Sequence, residues 1–169
     1  MKGSPIRERG ARAERFNPRL RNGWQGERVH SVEGNMPTIV VANPKGGSGK
    51  STTSLVLGPT LARKGAKVTL IDADANHPLT TWHNGETREL EVIGGLTDSN
   101  FVSVLDQAAA QRDAVIVDLE GAATRIVSRA IMRADLVLIP MQASAVDAAQ
   151  AGRAVGLIRQ EEEILRRSI

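Results

Sequence analysis

The sequence predicts an α/β fold, a mostly parallel sheet with helices on both faces, in three layers. Five short apolar runs (38–42, 67–71, 90–93, 114–119 and 136–140) have the length of strands buried on both sides. Stretches with helical character separate them, the alternation that builds parallel sheets. The glycine-rich and acidic segments follow directly on the C-terminal ends of these runs. That is the edge at which open α/β sheets take their ligands.

At 169 residues the chain has room for one domain with a real core, and 41% hydrophobic residues is ordinary for a soluble protein. No apolar run approaches the roughly 20 residues of a membrane span. The N-terminus shows no apolar stretch of the secretory kind. The chain has no cysteine, which excludes disulfides, zinc–thiolate sites and thiol nucleophiles. A cytoplasmic protein is expected.

The net charge of +3 is unevenly spread. Residues 1–35 hold eight Lys/Arg against four Glu, whereas the rest of the chain holds 14 basic and 15 acidic residues. The basic character therefore belongs to the first 35 residues, not to the predicted domain. That segment is rich in Arg, Gly, Asn and Glu without a hydrophobic period, and is expected to be disordered. Three readings of it compete: a basic arm touching DNA phosphates, an expression leader, or sequence upstream of a start at Met36. The last accords with Met36-Pro37-Thr38 standing directly before the first strand, so a domain over 36–169 is expected.

Thr38 to Ala42 (TIVVA) is the first strand. Asn43 to Thr53 (NPKGGSGKSTT) follows, and it reads as a phosphate-binding loop opening a helix. Its glycines let backbone N–H groups close around phosphate oxygens, and the helix N-terminus adds positive charge. Lys50 is expected to reach the β- and γ-phosphates, and the Ser51 hydroxyl to bind Mg²⁺. The cradle is expected to comprise Lys45, Gly46, Gly47, Ser48, Gly49, Lys50, Ser51 and Thr52. The helix is expected to run to about Lys64, with Leu55, Val56, Leu61 and Ala62 toward the sheet. A kink is expected at Gly58-Pro59, and a C-terminal cap at Gly65.

Lys67 to Ile71 is the second strand, running into Asp72-Ala73-Asp74-Ala75-Asn76. A short helix starts near Pro78, with Trp82 as a packing anchor and His77 as a cap or surface residue. Leu90 to Ile93 is the third strand. The helix over 100–111 is expected to be capped by Asp98 or Ser99. Ala114 to Leu119 (AVIVDL) is an apolar strand with Asp118 near its end, the pattern of a Walker B strand whose aspartate holds Mg²⁺ through water. Arg125, Arg129 and Arg133 share one face of the next helix, either solvated or facing DNA phosphates or a partner. After the fifth strand a helix runs from about Val146 to Arg167, with Asp147 at its acidic start and Glu161-Glu162-Glu163 facing solvent.

The string K-G-G-x-G-K-S resembles the deviant phosphate loop of the ParA/MinD family of partition ATPases. Position 44 is Pro rather than the Gly of the commoner pattern, and Lys45 is the extra lysine. The segment DADANHPLTTW is similar to one branch in particular, the ATPases of conjugative and T-DNA transfer systems. The resemblance implies a P-loop NTPase fold, ATP and Mg²⁺ as ligands, and slow, partner-stimulated hydrolysis. It implies that Asp74 orients the attacking water and Asp72 supports the Mg²⁺ shell. It further implies a homodimer formed on ATP binding, in which Lys45 crosses to the partner's nucleotide. Non-specific DNA and a ParB-like or relaxosome-type stimulating protein are the implied partners, with a cytoplasmic, nucleoid-associated location and no membrane.

The segment after the second strand matches the family's D-x-D-P-Q at its two aspartates, with Ala75 and Asn76 in place of Pro and Gln, and two further features depart from the family pattern. Leu119-Glu120-Gly121 stands where Thr-Pro-Pro usually follows the Walker B aspartate. That leaves Glu120 open as a partner contact, a substitute base or a solvated side chain. Family members also continue beyond this point with further strands and the loop that contacts adenine, so a C-terminally truncated domain is expected. Two other functions stay open: a P-loop small-molecule kinase or ligase, which needs an acceptor site, and a non-hydrolysing adaptor that binds nucleotide and DNA.

Overall fold

All five expected strands form, and every strand pairing is parallel. The structure is a computed structural model and describes residues 37–83, 89–121 and 124–169; the expectations for residues 1–35 lie outside the described residues. The strands are β1 (Thr38–Val41), β2 (Val68–Ala73), β3 (Leu90–Ile93), β4 (Ala114–Leu119) and β5 (Leu136–Leu138). They lie side by side in the order β3-β2-β4-β1-β5. From β1 the chain winds outward through β2 and β3, returns at β4, and leaves on the other side at β5. The direction of winding thus reverses around β1 and β4, and the carboxyl edge of these strands is where an open sheet of this kind leaves a crevice.

Successive strand residues feed two separate cores, as the two-residue period of a strand requires. Val40, Ile71, Val115 and Val117 pack on one face with Phe101, Leu105 and Ile131. These come from α3 (Phe101–Gln111) and α4 (Arg125–Ile131), and Leu157 and Ile158 of α5 (Ala145–Leu165) join them. Val41, Val68, Leu70 and Ile116 pack on the other face. They meet Leu55, Leu57 and Leu61 of α1 (Lys50–Arg63) and Leu79 of α2 (Pro78–Trp82). Every residue of β4 is buried, as expected for a central strand covered on both sides.

The helices correct several expectations. Leu57 packs toward the sheet where Val56 was expected, and Val56 is 63% exposed. α1 runs unbroken through Gly58 and Pro59. Gly58 serves close approach: a Cβ there would lie 2.6 Å from Leu70 Cδ2. Gly65 does close α1, at φ 93°, with its N–H on the Ala62 carbonyl and the Ala66 N–H on the Leu61 carbonyl. Neither Asp98 nor Ser99 caps α3. Asn100 stands at that position, and its side-chain oxygen instead accepts from the Thr97 N–H (2.7 Å) and hydroxyl.

α2 is anchored by Leu79, which is fully buried, whereas Trp82 is half-exposed and not the anchor expected. Glu161 is buried rather than solvent-facing: it continues the inward face of α5 that carries Ala151, Ala154, Leu157 and Ile158. At the C-terminal end of the chain Glu162 accepts from the Ile169 N–H, and Arg167 donates to the Met132 and Ala134 carbonyls. The arginine row is not a uniform stripe. Arg129 donates to the Asp98 carbonyl, and Arg133, beyond the end of α4, pairs with Asp106 at 2.9 Å.

Candidate functional site

The loop between β1 and α1 is tied down at its start. Asn43, 2% exposed, donates from Nδ2 to the Pro140 carbonyl (2.8 Å) and accepts the Lys45 N–H on Oδ1 (2.8 Å). This clamp joins the loop to the segment after β5. Gly47 and Gly49 then take left-handed backbone at φ 71° and 98°, which any side chain would strain. The turn at Gly49 delivers Lys50 as the first residue of α1, and Thr53 closes the first helical turn with its N–H and hydroxyl both on the Gly49 carbonyl at 2.8 Å.

A cavity of about 420 Å³ opens over this loop. Its walls are Gly46, Gly47, Gly49, Lys50, Ser51 and Thr52, with Asp74 and Asn76 from the segment after β2 and Glu120 and Gly121 from the segment after β4. Lys50 is only 6% exposed, and its amine lies 3.3 Å from the Lys45 carbonyl. Asp74 uses one oxygen, Oδ1, to accept the Asn76 N–H and side-chain amide (2.8 and 2.9 Å), so the segment is folded back on itself at the cavity mouth.

Two of the expected cradle residues, Lys45 and Ser48, are not on the wall of this cavity. Ser48 is buried, is not on the cavity wall, and its hydroxyl has no hydrogen-bond partner. Lys45 also stays off the wall. Its amine donates to both carboxylate oxygens of Asp147, at 2.9 Å each. Asp147 is 1% exposed and is held in turn by the Ser144 hydroxyl, while its own N–H caps onto Ser144 Oγ. The Ser144 hydroxyl first, and Lys45 second, hold the Asp147 carboxyl below the usual range. The acidic start of α5 is thus a specific ion-pair partner and not a helix-dipole charge alone.

Asp72 and Asp118 are off this wall, direct neighbours in the β2–β4 ladder and 1% and 0% exposed. Thr80 donates both its N–H and its hydroxyl to Asp72 Oδ2, each at 2.8 Å. Ser54, fully buried on α1, lies 3.5 Å from Asp118 Oδ1. The Asp118 carboxyl is pushed up from 3.8 to about 6, chiefly by burial; Ser51's hydrogen bond opposes the rise, the Asp72 and Asp74 carboxylates add to it, and Lys50 opposes it.

Asp72 Oδ1 and Asp118 Oδ2 have no hydrogen-bond donor. Two bare carboxylate oxygens buried beside a serine hydroxyl form a hard-oxygen donor set, which suits Mg²⁺. Among the described residues no group of three or more acidic or histidine side chains would hold a metal alone. The ion would therefore enter with phosphate oxygens completing its shell, with Ser51 and Asp118 as its protein contacts and Asp72 behind them.

The sequence reading missed Asn43, Ser54, Thr80, Gly121 and the role of Asp147. Gly121 carried a signal, as the residue that breaks the expected Thr-Pro-Pro. A Cβ on Gly121 would sit 2.9 Å from the Pro44 carbonyl and 3.5 Å from the Gly46 nitrogen, so the two loops touch backbone to backbone. Gly121→Ala is therefore expected to push the phosphate loop out of shape. A nucleotide affinity about tenfold lower is expected in a fluorescent-ATP titration, in line with the 1–3 kcal/mol typical of overpacking. Wild-type affinity would mean the loops have slack.

A second cavity of about 270 Å³ adjoins the first and shares Asp74 and Glu120 with it. Asp72, His77, Asp98 and Arg125 are among its other walls. No helix among the described residues is long and apolar enough to cross a membrane.

Residues 39–166 match the family model for the CobQ/CobB/MinD/ParA nucleotide-binding domain. The chain is 50% identical over 136 residues to protein ParA of Rhizobium radiobacter, which covers 79% of this chain and 61% of that protein. It is 30% identical over 123 residues to protein virC1 of Rhizobium rhizogenes, covering 69% of this chain and 53% of that one. The ATP complex of McdA from Cyanothece superposes with a TM-score of 0.66 at 26% identity, over 76% of this chain and 65% of that chain. The chain thus spans between about half and two thirds of the length of these proteins.

Proposed function

The chain belongs to the CobQ/CobB/MinD/ParA nucleotide-binding family, and from that premise we propose that it is a Mg²⁺-dependent ATPase switch of the ParA type. What carries this reading is the meeting of Lys50, Ser51 and Asp74 on the wall of one cavity, with Asp118 buried against Ser51. The ATP named for the McdA complex and the 50% identity to a ParA protein support it.

In this reading the backbone N–H groups of Gly46 to Ser51 hold the phosphates. The Lys50 charge draws electron density toward the bridging oxygen, and Asp74, at the cavity mouth, orients the attacking water. Mg²⁺, when bound, neutralises charge on the phosphate oxygens. The domain over 36–169 is the catalytic unit.

ATP is proposed to bring two subunits face to face, each offering Lys45 to the other's nucleotide. In the single subunit Lys45 is held by Asp147, so delivery across an interface requires that ion pair to open. Hydrolysis then separates the subunits, and nucleotide state governs binding to non-specific DNA on the nucleoid and to a ParB-like or relaxosome-type activator. The resemblance of the phosphate loop to partition ATPases favours a role in plasmid or chromosome partitioning, and that of the DADANHPLTTW segment to transfer ATPases a role in conjugative DNA transfer.

A second reading has one observation in its favour. The 270 Å³ cavity abutting the phosphate site is large enough for a small acceptor, as a kinase or ligase requires. Light scattering of Asp74→Ala separates the two. The variant should bind Mg-ATP, fail to hydrolyse it, and shift from monomer to dimer, and Lys45→Ala in the same background should abolish the shift. A variant that binds ATP and stays monomeric, with phosphate loss that appears only on adding an acceptor, would favour the kinase or ligase.

A further inference from the structure

We propose that Thr80 is a positioning residue, which aims the free oxygen of Asp72 at the Mg²⁺ end of the phosphate cavity and uses Gly94 as the space for its hydroxyl. The inference rests on the ATPase reading above and names a residue for which that reading has no role.

Asp72 is the penultimate residue of β2 and lies on the same sheet face as Asp118, its ladder neighbour. A carboxylate at the end of a strand turns freely about its last bond unless something holds it. Here both donors of one residue converge on a single oxygen: the Thr80 N–H and the Thr80 hydroxyl each reach Oδ2 at 2.8 Å. Two donors on one oxygen fix the plane of the group and leave Oδ1 buried without a donor. The neighbouring Asp118 likewise keeps Oδ2 bare. Burying two carboxylates side by side with one open oxygen apiece is costly unless a cation answers them.

The bland alternative is that Asp72 merely caps α2 from outside, since His77 at the N-cap position makes no side-chain cap bond. A cap needs only the backbone N–H of Thr80, which any residue supplies. The hydroxyl is the part that requires threonine or serine. Its place is also kept open from the other side: a Cβ on Gly94, just after β3, would lie 2.4 Å from Thr80 Oγ1. Gly94 is not among the positive-φ glycines, so its backbone conformation alone would admit an alanine. The space is taken by the hydroxyl. One oxygen of Asp72 thus takes both donors of Thr80, and Gly94 after β3 leaves room for the second of them, which exceeds what capping a five-residue helix demands.

The test is fluorescent-ATP binding by the full chain in EDTA and in Mg²⁺, with Mn²⁺ electron paramagnetic resonance as a direct report on the ion. Thr80→Val keeps the shape and the N–H and removes only the hydroxyl. It should bind nucleotide in EDTA as the wild type does, and lose about tenfold of the affinity that the ion adds, the usual scale for a residue behind a metal contact. Thr80→Ser should restore that gain. Gly94→Ala should reproduce the loss by displacing the hydroxyl, and Gly94→Ala combined with Thr80→Ala should be no worse than Thr80→Ala alone.

An undiminished Mg²⁺ gain in both Thr80→Val and Gly94→Ala would overturn the proposal. So would an equal loss in EDTA, which is what a purely structural cap predicts. Should Thr80→Val fail to fold, Gly94→Ala and its double variant carry the same test. A wild type that binds nucleotide with no gain from Mg²⁺ would instead overturn the ATPase reading, and the inference with it.

Discussion

Replacing Lys50 with Ala is expected to lower ATP affinity by roughly 30- to several-thousand-fold and to take turnover below detection. Replacing Lys45 should leave affinity within about twofold while also removing turnover. The two lysines are five residues apart in one loop, and only their placement separates them. Lys50 is nearly buried on the cavity wall, at the N-terminus of α1, with its amine beside the Lys45 carbonyl. Removing a charge from such a water-poor phosphate site costs about 2–5 kcal/mol, or roughly 30- to several-thousand-fold.

Lys45 is off the wall, and Asp147 already satisfies its charge. Truncating it removes nothing that a lone subunit offers to ATP. It should instead leave Asp147 with Ser144 as its remaining side-chain partner and abolish whatever Lys45 does after leaving that pair. Isothermal titration and phosphate release on both variants check this. Lys45→Ala losing ATP affinity to the same degree as Lys50→Ala would put the Lys45 amine at the nucleotide of its own subunit and remove the cross-subunit switch.

How much of this was legible beforehand follows from what each feature depends on. The strands were readable because a strand buried on both faces is apolar along most of its length: Ala114–Val117 is so throughout, and Val68–Ile71 at all but Thr69. The phosphate loop was readable because left-handed turns at Gly47 and Gly49 demand glycine and so mark the sequence. Asp118 was readable as the one acid in an apolar strand.

What escaped depends on pairings distant in sequence. Lys45 and Asp147 are 102 residues apart, and Asn43 and Pro140 are 97. No local pattern announces them. Thr80 escaped for a different reason. It stood inside the string DADANHPLTTW, eight residues from Asp72, but α2 had to turn back on β2 before the hydroxyl had anything to hold. The use of Gly58 escaped as well, because propensity is local and the Leu70 side chain that needs the space is on β2. Trp82 and Glu161 were misjudged by residue type, since side-chain chemistry ranks average burial and says nothing of which face of a helix turns inward.

Asp118→Asn is expected to make the nucleotide-free protein more stable and the nucleotide-bound protein less so, with a pH dependence that identifies the cause. Burial, with some help from the Asp72 and Asp74 carboxylates, raises the Asp118 carboxyl from 3.8 to about 6 in the folded chain. Between those values the folded state holds a proton that the unfolded state has released. Stability from this group is therefore lost as pH rises from about 4 through 6, and the loss is complete above that. At pH 7.5 the ionised carboxylate costs the folded state up to about 3 kcal/mol, an upper limit because relaxation and solvent reduce it. Asparagine fills the same space without the charge. Its melting temperature in EDTA should exceed the wild type's by roughly 3–8 °C at pH 7.5, and the difference should close toward pH 4.

Adding Mg-ATP should reverse the order. The ion answers the same charge that destabilises the empty site, so the wild type gains the larger stabilisation and the variant little. A site built to receive a cation is expected to be strained without it, and the two melting curves read that strain directly. A variant less stable than the wild type in EDTA at pH 7.5 would mean that Ser51, Ser54 and Lys50 already compensate Asp118 fully. A difference that did not change between pH 7.5 and pH 4 would mean that its origin is packing and not charge.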